Sequence, residues 1–131
     1  LPGFVREQLD ATIASLDTNS GTTLHLALSY GGRTELVDAA RAIAAKTKRG
    51  ELAPEAIGEQ TVADHLYTAG TPDPDLLIRT SGEMRVSNFM LWQISYAELV
   101  VTEQLWPDFG EPEFVAALEE FGGRNRRFGK V

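Results

Sequence analysis

Pro72 to Phe109 reads PDPDLLIRTSGEMRVSNFMLWQISYAELVVTEQLWPDF, and its order of apolar and polar blocks decides the fold. Asp73-Pro74-Asp75 predicts a turn and Leu76-Leu77-Ile78 a short buried strand with Arg79 at its C-terminal end. Ligands of open α/β sheets collect at that edge. A polar loop, Thr80 to Arg85, follows. Ser87 then stands where an N-cap would, ahead of a helical pattern at Phe89, Leu91, Trp92, Ser95 and Tyr96. Leu99-Val100-Val101 predicts a second strand and Trp106-Pro107-Asp108-Phe109 an aromatic turn. Pro112 opens a last helix carrying Phe114, Val115, Leu118 and Phe121, which Gly122-Gly123 ends.

Upstream, Phe4, Leu9, Ile13 and Leu16 predict a helix over 2–16, closed by the polar cluster from Asp17 to Gly21. Thr22 to Ser29, TTLHLALS, alternates as a strand. Tyr30-Gly31-Gly32-Arg33 is a tight exit, after which Thr34 caps a helix through Leu36, Ala40, Ile43 and Ala44 to Gly50. The glycine pair either lets this helix pack closely on the sheet, the reading we prefer, or admits a phosphate. A polar connector leads to a helix around Val62 to Thr68. His25, on the second face of the strand, and His65, half-exposed on the helix, are read as structural residues.

Composition restricts the function. The chain has 131 residues, 43% of them hydrophobic, which suits one globular domain with a real core. Its net charge of −7 and pI near 4.8 argue against a nucleic-acid or anionic-membrane surface, so any phosphate site is local. Without cysteine there is no disulfide, thiolate nucleophile or thiolate metal ligand, which fits a reducing cytoplasm. Leu1 to Ala14 carries Arg6, Glu7 and Asp10 and does not read as a secretory signal. No apolar run approaches the roughly 18 residues of a spanning helix.

Two arginines, a hydroxyl and a helix N-terminus converge in the first stretch, and this set suits a phosphate or diphosphate. A guanidinium fork matches phosphate oxygens bidentately, and a helix start adds unpaired N–H groups. The same residues also read as surface ion pairs with Asp75 and Glu83. Glu98, ending an apolar segment, needs an arginine or a metal as partner. Phe89, Trp92 and Tyr96 read as a packed face or a subunit interface.

Four ordered motifs go further. DLLIRTSGEMRVSNFMLWQISYAEL, LWPDF at 105–109, SYGGR at 29–33 and the terminal RRFG at 126–129 resemble the signatures of the cis-prenyltransferase, or undecaprenyl diphosphate synthase, family. Nothing here matches that family's opening strand and DGNGRWA-type loop. Residues 1–131 therefore read as the C-terminal portion of a single cis-prenyltransferase domain. The fold implied is α/β, a largely parallel sheet flanked by helices, present in partial form and working as a homodimer.

By the same resemblance, Arg79, Arg85 and Ser87, with the Val86 backbone, clamp the diphosphate of isopentenyl diphosphate. Arg127 and Gly129 of the terminal Arg-x-Gly reach a dimer partner's site, and Glu98 helps hold Mg2+. Met84 stands where some members carry a metal-binding histidine, and a thioether is a poor magnesium ligand. The principal magnesium aspartate and the allylic-diphosphate loop lie in the half not matched, so this chain holds no catalytic residue and the isolated chain is expected to be inactive. The reaction implied joins isopentenyl diphosphate to an allylic prenyl diphosphate such as farnesyl diphosphate with a new cis double bond. Membrane contact would be at most transient, through the lipid product. A noncatalytic partner subunit and a generic phosphate- or RNA-binding module are the alternatives.

Overall fold

The computed structural model describes residues 1–124. Four α-helices lie along them: α1 (Gly3–Leu16), α2 (Gly32–Lys48), α3 (Glu59–Ala63) and α4 (Glu111–Gly122). Two strands, β1 (Leu76–Arg79) and β2 (Glu98–Val101), stand between α3 and α4, and 3-10 turns occupy Pro54–Ala56 and Trp106–Asp108.

The strands pair in parallel, with Leu76 opposite Glu98 and Arg79 opposite Val101. Backbone bonds from Glu98 N–H to Asp75 (2.9 Å) and from Thr102 N–H to Arg79 (2.9 Å) extend the ladder at both ends. A parallel pair requires a long crossover, and residues 80–97 provide it. α4 packs on β2, with Val100 and Ala117 buried, and α2 packs on α3. The architecture is thus α/β, a small parallel sheet flanked by helices, as expected.

Local chemistry sets the helix ends. α2 carries Glu35 in its first turn and Lys46 and Lys48 in its last, each charge opposing the helix dipole. Its C-terminus closes with Glu51 N–H on the Lys46 carbonyl and Gly50 N–H on that of Thr47, both 3.0 Å, and Gly50 at φ +74° supplies the left-handed residue this closure needs. α4 starts where the Glu113 carboxylate accepts from Gly110 N–H at 2.8 Å, with Pro112 in the first turn.

Four sequence expectations are corrected. Thr22 to Ser29 forms no strand; it is an exposed segment without regular structure that ends in a turn at Leu28-Ser29, and its Leu24, Leu26 and Leu28 are 80%, 60% and 49% accessible. Alternation specifies which face a strand would bury, but a ladder also needs a neighbour, and no described strand lies beside this segment. α2 begins two residues before Thr34, with Gly31 as its N-cap residue. The helix around Val62 to Thr68 is instead α3 over Glu59–Ala63, running into turns. His65 lies in those turns, its Nδ1–H donating to the Thr61 carbonyl at 2.7 Å.

The fourth correction concerns residues 87–96, which form successive turns and no α-helix. Ser87, Asn88 and Met90 have φ of +49°, +63° and +44°, so Ser87 is not a helix N-cap. The 3.6-residue pattern reported burial here but not backbone: left-handed residues interrupt the i to i−4 ladder.

The glycine pair packs closely, though onto this turn segment. Gly32 N–H donates to the Asn88 carbonyl at 2.7 Å, and Arg33 N–H donates to Asn88 Oδ1 at 2.9 Å. A Cβ on Gly32 would meet Leu91 Cγ at 2.9 Å, Leu91 N at 3.1 Å and Asn88 O at 3.2 Å. Two of those are backbone atoms, and one of them, Asn88 O, is already bonded to Gly32 N–H, so neither retreats as easily as a flexible side-chain end. Gly32→Ala should therefore lose about 1–3 kcal/mol of stability in urea unfolding. A change under about 0.5 kcal/mol would show that the segment yields to the added methyl.

Candidate functional site

β1 ends at Arg79, and the chain turns back at once. Ser81 and Gly82 adopt φ of +70° and +64°, while Ser81 N–H donates to Gln104 O and Gly82 N–H to Thr102 O, both at 2.8 Å. The loop is thereby pinned along the end of β2. Its curl brings Glu83 over the strand end, where one carboxylate oxygen accepts from Arg79 Nη2 and the other from Arg85 Nη2. The arginines thus share one acid, and the expected surface pairing holds for Glu83.

The two guanidiniums differ in setting. Arg79 is 34% exposed and Arg85 66%. Arg79 Nε is buried and, among the described residues, has no hydrogen-bond partner. The Arg79 hydrogen bond, with the charges of both guanidiniums, holds the Glu83 carboxyl below the usual carboxylate range, against the opposing effect of desolvation. Val86 is half-buried, its carbonyl accepting from Phe89 N–H at 3.1 Å, and Ser87 is exposed. Left-handed residues at both ends of this loop are the kind of backbone strain that gathers at ligand sites.

The 87–96 turns share a polar cluster with α2 that reading the sequence missed. Glu35, 1% exposed, accepts from the Tyr30 hydroxyl, from Tyr67 N–H at 2.9 Å and from Gln93 Nε2 at 3.0 Å. Gln93 Nε2 also donates to Thr68 Oγ1 at 2.9 Å, and Tyr30 meets Phe89 edge-on at 5.8 Å. One carboxylate so ties the start of α2 to the 66–68 turns and to the segment carrying Ser87. A signal was available: Glu35 lies four and eight residues before Ala39 and Ile43, on the stripe that α2 buries.

Burial, followed by the neighbouring Glu35, pushes the Tyr30 hydroxyl up to about 12. A group whose folded pKa is raised adds stability that is whole below its unfolded value, near 10, and is lost as pH rises through the folded value. Stability should therefore fall between pH 10 and about 12. The hydrogen bond to Asp38 also raises the Tyr67 hydroxyl, so phenolate absorbance should show two tyrosines ionising late, and Tyr30→Phe should remove the later step. If the later step persists in the variant, it belongs to another tyrosine.

Glu98, at the start of β2, is paired: Arg124 Nη1 donates to its Oε2 at 2.9 Å, while Arg124 Nη2 bonds Glu120. Its partner here is an arginine, and among the described residues no group of three or more His, Asp or Glu side chains could hold a metal ion. Arg127 and Gly129 lie outside the described residues. Trp92 and Tyr96, expected on a packed face or interface, line a cavity of about 320 Å³ with Glu59 and Asp73. That cavity is acidic and lies apart from the arginines, so it does not suit a diphosphate. No described helix is long and apolar enough to cross a membrane.

The structure thus sets a guanidinium pair at the C-terminal end of a parallel strand, beside a strained polar loop, in an α/β protein. The family model described as "Putative undecaprenyl diphosphate synthase" matches residues 1–129, and the chain belongs to this prenyltransferase family. Isoprenyl transferases of Porphyromonas gingivalis and Heliobacterium mobile are 52% and 50% identical over all 131 residues. This chain covers 52% and 50% of their lengths, so it spans about half of the curated relatives it matches. Lavandulyl diphosphate synthase from Lavandula x intermedia, crystallised with dimethylallyl diphosphate, superposes with a TM-score of 0.95 at 43% identity, covering 99% of this chain and 56% of that one. A probable undecaprenyl diphosphate synthase from Campylobacter jejuni gives 0.80 at 32% identity, over 99% and 58%.

Proposed function

We propose that this chain carries the isopentenyl diphosphate site of a cis-prenyl diphosphate synthase. The observation that carries the reading is the convergence of Arg79 and Arg85 on one anionic group at the end of β1. Two forked cations a carboxylate apart fit the two phosphoryl groups of a diphosphate. Arg79 Nε, buried and unpartnered, offers a further donor to an anion with more oxygens than a carboxylate. The exposed Ser87 hydroxyl borders the same loop.

In the proposed reaction a C–C bond forms between isopentenyl diphosphate and an allylic prenyl diphosphate as the allylic C–O bond breaks and its diphosphate leaves, and the isopentenyl unit then loses a proton from C2 to give the new double bond. The arginines' part is to hold the isopentenyl group in place, which supplies orientation and no covalent chemistry. Magnesium, which would neutralise departing diphosphate, fits the described residues only in part. Glu98 is one carboxylate, engaged by Arg124, and a bound Mg2+ needs further oxygens from substrate and water. Complete condensation, the homodimer and the trans-acting role of Arg127 and Gly129 are proposed for a protein of the relatives' full length, in a cytoplasmic setting.

Calorimetric titration of the chain with isopentenyl diphosphate should give saturable binding that inorganic diphosphate competes away. A chain that binds neither compound contradicts the assignment. Steep loss of RNA binding with salt would instead favour the phosphate- or RNA-binding module.

A further inference from the structure

The acid between the two arginines has a role that anion binding alone does not explain. Glu83 bridges the pair with one oxygen on each guanidinium, in the space where two cations would grip a ligand. We propose that Glu83 is an internal stand-in for diphosphate, closing the clamp while it is empty and swinging out when the ligand enters.

This inference rests on the proposed isopentenyl diphosphate site, and three observations support it. The grip is incomplete: each arginine uses Nη2 alone toward Glu83, and Arg79 Nε stays buried and unsatisfied. An unsatisfied buried donor is costly, and a diphosphate, with oxygens to spare, would relieve it. Glu83 is also free to leave, since its side chain is one-third exposed on a loop whose backbone is pinned at Ser81 and Gly82. The side chain can rotate to solvent without moving the arginines. Finally, a diphosphate placed beside a remaining carboxylate would set like charges in contact, which displacement avoids. The bridge meanwhile keeps two neighbouring guanidiniums from repelling each other before substrate arrives.

Inorganic diphosphate is the probe, titrated calorimetrically into the 131-residue chain, into Glu83→Gln and into Arg79→Ala at fixed pH and low salt. Removing the competing charge should tighten diphosphate binding by about tenfold in Glu83→Gln, the worth of roughly one charge-assisted bond. Unchanged or weaker binding in that variant would overturn the proposal, because Glu83 would then be a fixed support of the site. Arg79→Ala separates the two levels: if it binds diphosphate as tightly as the unaltered chain, the site itself is wrong and the stand-in falls with it. In the unaltered chain, the Glu83 carboxyl 13C resonance should move toward its solvent-exposed position as diphosphate saturates. A resonance that stays fixed at saturation overturns the proposal even if Glu83→Gln fails to fold.

Discussion

Replacing Glu35 with alanine should lower the unfolding free energy by about 3–5 kcal/mol, the largest stability loss expected from a single polar truncation here. The carboxylate accepts from three donors, two of them side chains and one the Tyr67 backbone, in a setting that is 1% exposed. Removing it leaves the Tyr30 hydroxyl and Tyr67 N–H without this acceptor, at roughly 1–3 kcal/mol for each orphaned group. Gln93 Nε2 keeps Thr68 and suffers less. Glu35→Gln, which retains one acceptor oxygen, should cost less than half as much. Urea denaturation with an unchanged m-value is the measurement, and a loss below about 1 kcal/mol would show that water replaces the carboxylate. Because Gln93 and Asn88 belong to one turn segment, the alanine variant should also weaken diphosphate binding through misplacement of the loop.

Arg79→Ala should reduce the affinity for isopentenyl diphosphate about 100-fold, and Arg85→Ala about tenfold. The order follows from setting. Arg79 is fixed at the end of a paired strand and half withdrawn from water, so its hydrogen bonds are less screened; Arg85 is on the loop and 66% exposed. Arg79→Lys should recover little, because a point charge does not replace a planar fork. Calorimetry on the three variants, with circular dichroism to confirm folding, decides the matter. Equal effects at both arginines, or a larger effect at Arg85, would show that the diphosphate sits outward on the loop.

Much of this site was legible in the sequence. Arg79 follows Leu76-Leu77-Ile78, and an apolar run closed by a charge marks a strand end; β1 has those bounds with one residue added. Leu99-Val100-Val101 similarly marks β2, which Glu98 opens. The ordered motifs from SYGGR to LWPDF carried the family, because several specific stretches in a fixed order are a far narrower signal than any periodicity. Glu83 as a partner of Arg79 and Arg85 was also open to reading, since charges two and four residues apart in a tight loop lie within reach.

Other features rest on contacts between distant parts of the chain. Whether Thr22 to Ser29 is a strand depends on a neighbour, and alternation cannot report one. The turns at 87–96 depend on Gly32 and Arg33 N–H groups bonding Asn88 from 56 and 55 positions away, which stabilises left-handed backbone that local propensity disfavours. Glu35 became a buried hub only because Tyr30, Tyr67 and Gln93 converge on it. A sequence records what each residue can donate, accept or bury, and so it determined the strand ends, the arginine pair and the family. Which donor meets which acceptor is a matter of distance, and only tertiary packing fixed that for Glu35, Asn88 and the Glu98–Arg124 pair.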